Sequence, residues 1–373
     1  MTHTAKQWLE RIHSLRLERS VRIMNVCGGH ERSISMAGLR KALPGNIELI
    51  PGPGCPVCIC PEEDLFEAIQ LALNENIILV AFGDMLRVPV NVKKCDARTL
   101  EQAKARGADI RPLASPTEAV KIARENPATP VVFFAAGFET TTAPVAAMLV
   151  EGVPDNLFVL LSGRLTWPAV AMLLESGEAG FDALVAPGHV ATVMGPEEWQ
   201  FTVDEHHIPA AIAGFTPQSL LAAMYSVIRQ LIDGRYFLDN CYPELVREGG
   251  NPSARAQLQQ AFHVRDANWR GIGIIPGSGY VIRAEYSRHD ARKHFPSYAE
   301  DARKRAGEMP PGCDCAKVVL GKIYPNECRL YGKACVPRNP IGPCMVSDEG
   351  ACRIWWANGM RQPARAADKK ANG

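Results

Sequence analysis

Val131-Val-Phe-Phe-Ala-Ala-Gly-Phe-Glu-Thr-Thr141 is the stretch on which the fold turns. A short apolar, β-rich run breaks into a glycine and then into polar residues, the signature of a buried strand handing over to a helix. The same pattern recurs on both sides of it. Val21–Val26 runs into Cys27-Gly28-Gly29, Ile47–Ile50 into Pro51-Gly-Pro-Gly54, and Ile77–Phe82 into Gly83-Asp84. Further on, Leu157–Leu161, Ala183–Val185 before Pro187-Gly188-His189, and Ala210–Ala213 before Gly214 repeat it. Helical stretches lie between these runs, which implies βαβ units and a parallel-sheet α/β fold. In such sheets ligands bind beyond the carboxyl ends of the strands, so the residues after each run are the ones to read for function.

The pattern divides into two α/β domains facing each other across a cleft, placed at 1–125 (with an N-terminal helix) and 126–250. Residues 251–373 form a third region, with a helix expected at Ala254–Phe262 and a strand at Gly271–Ile282. From about Pro310 the composition shifts to Cys, Gly and Pro, which cannot build a large apolar core and points to a metal site instead.

Composition narrows the function. Lys and Arg total 41 against 40 acidic residues, a balance that argues against binding nucleic acid or an anionic membrane. The first twenty residues carry six charges and no apolar core of a signal peptide, and no run is long enough to span a membrane, so a cytoplasmic protein is expected. Twelve cysteines in a reducing compartment indicate metal binding or thiol chemistry rather than bracing disulfides.

Four groups of residues carry the chemistry. Cys27-Gly-Gly-His30 sets a soft thiolate beside an imidazole at a strand end, suited to iron, copper or zinc; a tight turn with an incidental cysteine explains it equally. Gly52-Pro-Gly-Cys55-Pro-Val-Cys58-Ile-Cys60 contains a Cys-x-x-Cys unit, redox or metal-binding, ahead of a helix whose first turn begins at Pro61. Asp84, Glu139 and His189, at three strand ends, can orient ligands or relay protons; each alone reads more readily as a loop or capping residue, and jointly they read as the lining of a cleft. Cys315, Cys328, Cys335 and Cys352 are dispersed thiols, with Cys313 and Cys344 as extras. They fit a cubane iron–sulfur cluster at least as well as zinc. Phosphate-loop and dinucleotide glycine motifs are absent.

In this order, from about Arg22 to Trp355, these motifs resemble the HypD family of [NiFe]-hydrogenase maturation factors. The resemblance rests on Cys27–His30, Gly52–Cys58, Phe82-Gly-Asp-x-x-Arg-Val-Pro89, Gly137–Thr141, Ala186-Pro-Gly-His-Val190 and Cys344–Cys352. It implies two Rossmann-like domains and a third with a [4Fe–4S] cluster, whose ligands carry over onto Cys315, Cys328, Cys335 and Cys352. It also implies a complex with a small HypC-type chaperone and a HypE-type cyanide donor. Cys27 would then help hold an iron that receives two cyanides and one carbon monoxide, and Cys55–Cys58 would be a redox thiol pair. Glu31, where relatives often carry Thr or Gln, adds a carboxylate beside that site. Thr216 stands where the family usually has Glu and is assigned no role. A free-standing thiol/disulfide oxidoreductase and a zinc-stabilised interaction protein are the alternative readings.

Overall fold

The structure, a computed structural model, describes residues 3–307 and 309–360. The basic residues Arg361, Arg365, Lys369 and Lys370, read from sequence as a solvated tail, lie outside the described residues. The strands are β1 (Val21–Asn25), β2 (Ile47–Pro51), β3 (Ile78–Phe82), β4 (Asp109–Leu113), β5 (Val131–Gly137) and β6 (Leu157–Gly163). They continue with β7 (Ala183–Pro187), β8 (Ala210–Ala213), β9 (Leu238–Asn240), β10 (Phe262–Trp269) and β11 (Gly273–Ile282).

Two wholly parallel sheets form, in the orders β2-β1-β7-β8-β9 and β4-β3-β5-β6. The α/β expectation is therefore met, and all seven apolar runs are strands. β5, β6 and β7 are buried along their whole length, because helices cover both faces of each sheet.

The sheets do not follow a division at residue 125. β3 and β4 pair with β5 and β6, and the first sheet resumes only with β7. The second sheet is thus inserted into the first. A periodic pattern locates a strand but does not state which partner it will choose, so the break between units was invisible in it.

The region after residue 250 is also shared out. The helix Pro252–Ala261 packs on the helix Glu139–Glu151, and β10 and β11 form an antiparallel hairpin whose Phe262, Tyr280 and Ile282 join the core beneath the second sheet. β10 was not expected; its burial runs intermediate to exposed in the middle, so it lacks the apolar run that marks the others. From Pro310 onward the chain forms short helical turns. Their Val318, Ile354 and Trp355 share a core with Leu79 and Phe134 of the second sheet.

Helix Ala351–Ala357 lies against helix Gly28–Met36 of the first sheet. Trp355 Nε1 donates to Glu31 at 2.7 Å, and Arg40 closes on the same carboxylate at 2.7 Å. Glu31 is 2% exposed and also accepts from Asn25 at 3.1 Å. Its carboxylate is occupied in joining the Cys-rich region to the first sheet rather than standing free beside Cys27.

Candidate functional site

The carboxyl ends of β1, β2, β7 and β8 meet those of β5 and β6, and the residues just past them close around Cys27. Cys27 stands at the N-cap of the helix Gly28–Met36 in extended conformation and makes no side-chain capping bond, while the backbone amides of His30 and Gly29 lie near enough to its sulfur to favour a thiolate. The glycine pair that follows is there for space. A Cβ at Gly28 would stand 2.5 Å from the backbone oxygen of Glu349, and one at Gly29 would stand 2.4 Å from the ring of Phe215.

Two cavities share Cys27. One, of about 100 Å³, is lined by Cys27, Gly54, Pro56, Phe138, Thr140, Thr141, Thr166, His189, Phe215 and Glu349. The other, of about 10 Å³, lies between Cys27, Glu31, Val318, Val319, Glu349 and the Cys55–Cys58 pair. Cys55 and Cys58 are joined in a buried disulfide with Cα atoms 5.3 Å apart, Cys55 capping and Cys58 lying within the short helix Pro56–Ile59. The Cys58 amide donates to the Cys55 sulfur at 3.2 Å, a contact suited to stabilising a thiolate there once the bond is reduced.

Electrostatics around Cys27 favour neutral groups. Burial pushes its thiol up to about 12, the amides of His30 and Gly29 working against that and the Glu349 charge with it. Burial likewise raises the Glu349 carboxyl, with Asp84 adding to the effect. A cation bound at this sulfur would have to displace its proton and would supply the charge that the pocket lacks.

The histidines occupy different places. His189, past β7, lines the larger cavity, and burial lowers its pKa. His30 does not line it. Phe215 lies between them, its centroid 4.1 Å from the His189 ring and 5.1 Å from that of His30. His30 is fully buried and its Nε2 lies 2.9 Å from the Ala213 carbonyl. A carbonyl only accepts, so Nε2 carries the hydrogen and Nδ1, which has no partner among the described residues, presents a bare lone pair. Burial holds this imidazole down to about 4.

Glu139 and Asp84 also stand behind the cavity wall. Glu139 is wholly buried and accepts from the Thr166 amide at 2.6 Å and its hydroxyl at 2.7 Å, fixing a residue that does line the cavity. Asp84 accepts the Asp348 amide at 3.3 Å and so ties the end of β3 to the loop carrying Glu349. Phe215, Thr166 and Glu349 were not anticipated. Phe215 carried a signal, since it follows Gly214 at a strand end like the others; Glu349 carried none.

Pro61, expected as the first helical residue, instead caps the helix Glu62–Asn74. The acidic first turn does not face the thiols as free charge: Glu62 pairs with Arg270 at 3.0 Å, and Asp64 with Arg292 at 2.6 Å. Cys60 is buried against Ser162 at 3.5 Å, on that arginine–carboxylate side.

The C-terminal cysteines form a second nest. Cys315, Cys328, Cys335, Cys344 and Cys352 are all buried, and Cys313 lies 3.4 Å from Cys315 sulfur to sulfur. Cys344, set aside as an extra in the sequence, is 0% exposed, and its thiol lies beside those of Cys315 and Cys352. Those two neighbours, Cys315 and Cys344, draw Cys352 down to about 6. Gly342 passes so close that a Cβ would sit 2.5 Å from the Cys313 sulfur and 2.6 Å from that of Cys315. Among the described residues no three His, Cys, Asp or Glu side chains are set around one point as ligands of a single ion.

The family model HypD, described as "Hydrogenase formation hypA family", matches residues 3–359. The chain belongs to the HypD family. It is 39% identical to the hydrogenase maturation factor HypD of Azotobacter vinelandii, covering 94% of this chain and 92% of that one. Identity to the factor of the same name is 40% for Rhodobacter capsulatus (94% and 92% covered) and 39% for Escherichia coli K12 (91% and 89%). Both cavities and the thiol nest fall within the matched span. Among the described residues no helix is long and apolar enough to cross a membrane.

Proposed function

We propose that this chain is a cytoplasmic scaffold on which, with a HypC-type chaperone and a HypE-type cyanide donor, the Fe(CN)2CO group of a [NiFe] hydrogenase is assembled. The observation that carries the reading is the position of Cys27, a thiol that lines the larger cavity and is at the same time a neighbour of the Cys55–Cys58 disulfide. Iron is the cargo here. Cys27, once deprotonated, is its ligand from this chain, and a chaperone cysteine supplies a second.

The surroundings suit such a complex. Phe138, Phe215, Pro56 and Val190 keep the larger cavity largely apolar, which favours bound diatomics over water, while Thr140, Thr141 and His189 offer hydrogen-bonding groups to them. His30, Glu139 and Asp84 act through what they hold: the Ala213 carbonyl beside Phe215, Thr166, and the Glu349 loop. Cys55 and Cys58 take up or release two electrons beside the iron.

A [4Fe–4S] cluster fits the C-terminal nest by its donor chemistry: buried sulfurs crowd together, and Cys335 already accepts the Ile341 amide at 3.4 Å, as cluster thiolates do. Cys315, Cys328, Cys335 and Cys352 would hold it, with Cys344 placed to compete for a corner. It would supply single electrons.

Infrared spectroscopy of the chain copurified with its partners tests the reading. Cyanide and carbonyl stretching bands are expected with the wild type and should vanish in Cys27→Ala. Bands unchanged in that variant would remove Cys27 from the iron and with it the proposal.

A further inference from the structure

The thiol nest has a second face, which shares no residue with the two cavities around Cys27. There, a groove of about 770 Å³ runs between the segment after β3 and the loops around Pro310 and Pro337–Ile341. Its walls carry Arg87, Arg98 and Arg338 against a single carboxylate, Glu101. Arg87 is engaged with the Val346 carbonyl at 3.3 Å. Arg98 and Arg338 are exposed, and among the described residues neither makes an ion pair. Lys93 and Lys94, on the loop that carries Arg98, reinforce the sign.

Two further features bear on what binds there. Five prolines line the groove, so its shape is largely fixed before anything arrives. The wall is also one bond from the nest: the Ile341 amide donates to the Cys335 sulfur at 3.4 Å, and the Cys313 amide to the Pro310 carbonyl at 3.0 Å. The helix Pro56–Ile59, next to the disulfide, packs on both Cys315–Val319 and Pro343–Met345. The nest therefore adjoins both the cationic groove and the Cys55–Cys58 pair.

We propose that this groove is the docking face for a small acidic one-electron carrier protein, which serves as reductant of the Cys55–Cys58 disulfide. The proposal rests on the cluster reading given above. An exposed positive rim with a preformed floor, next to sulfur, suits an acidic protein surface. It does not suit a small anion, because the two unpaired guanidinium groups are exposed to solvent rather than buried. Each reduced carrier gives up one electron and leaves oxidised. Two such encounters, with two protons from solvent, break the S–S bond and leave two thiols.

The test uses the full chain, purified anaerobically with its iron, and an acidic [2Fe–2S] ferredoxin as the probe. Affinity is measured at low and at physiological salt, and thiol release at Cys55 and Cys58 is followed by alkylation and mass spectrometry. The double variant Arg98→Glu/Arg338→Glu is expected to bind about tenfold more weakly at low salt. Its ferredoxin-driven reduction of the disulfide should slow in proportion, while iron content and reduction by dithiothreitol stay as in the wild type. Equal affinity of variant and wild type, binding indifferent to salt, or displacement of the ferredoxin by millimolar pyrophosphate would each overturn the proposal. A wild type lacking iron would instead remove the cluster reading, and the salt-dependent docking would still be measurable.

Discussion

Replacing Gly54 by alanine puts the closest packing in the site under load. A Cβ at this position would stand 2.4 Å from both the Cα and the amide nitrogen of Cys27, and 2.6 Å from the carbonyl carbon of Val26. All three are backbone atoms at the end of β1, so no side chain can rotate away. Relief to ordinary carbon contact requires the loop and the strand end to part by about 1 Å. That movement also stretches the bond from the Gly28 amide to the Gly54 carbonyl, now 3.1 Å. Overpacking of this kind costs about 1–3 kcal/mol and the weakened hydrogen bond about 1 kcal/mol more. Against a total stability on the order of 5–15 kcal/mol the variant should fold, but with a loss of about 2–4 kcal/mol.

Urea unfolding followed by tryptophan fluorescence measures this loss. Gly83→Ala is the matched control, because a Cβ there meets nothing within 4 Å. In the same samples the rate of Cys27 alkylation reports whether the strand end has moved. Should Gly54→Ala prove as stable as Gly83→Ala within about 0.5 kcal/mol, the strand end has slack. The juxtaposition of Cys27 with the Cys55–Cys58 pair would then not be enforced by the backbone.

Three other outcomes are expected. Glu31→Ala strips the acceptor from Arg40, Trp355 and Asn25 at once and should cost about 3 kcal/mol in urea, since one half of a buried pair is left alone; a loss below about 1 kcal/mol would contradict the joint assigned to it. Burial pushes Glu198 up to about 8, with the Glu139 charge adding to the rise, and pushes Glu139 up to about 7. Carboxyls raised in this way lend full stability below their unfolded value of 4.5 and withdraw it as pH climbs through the folded ones. Glu198→Gln should therefore gain stability relative to the wild type from about pH 5 to about pH 9, with Glu197 and Arg255 still present in both; a constant difference in urea midpoint would refute the assignment. Cys352→Ala should lose more than about half of the bound iron, because that buried thiol is one of the four proposed ligands, whereas Cys241→Ala, bonded to Asp239 away from the nest, should keep all of it. Iron retained in full by Cys352→Ala would exclude that thiol from the binding set.

How much of this was legible beforehand follows from what each signal measures. Strands buried on both faces announce themselves by composition, and all seven runs of that kind were found. β4 and β9 were not, since edge strands hold polar residues and, in β4, a proline at 112. Of the side chains past the runs that were expected to carry chemistry, Cys27, Cys55, Cys58 and His189 line the two cavities. His30, Glu139 and Asp84 sit one layer behind, holding Ala213, Thr166 and Asp348. Nothing local separates a residue that faces a cavity from one that braces its wall, because that depends on where a second strand end arrives. The cavity around Cys27 takes its lining from both sheets and from the Glu349 loop more than three hundred positions away in the chain. A site assembled from so many carboxyl ends has its chemistry written locally and its geometry written in the pairing of strands. That is why Phe215, which keeps the two imidazoles apart, became visible only once β8 had been laid beside β7.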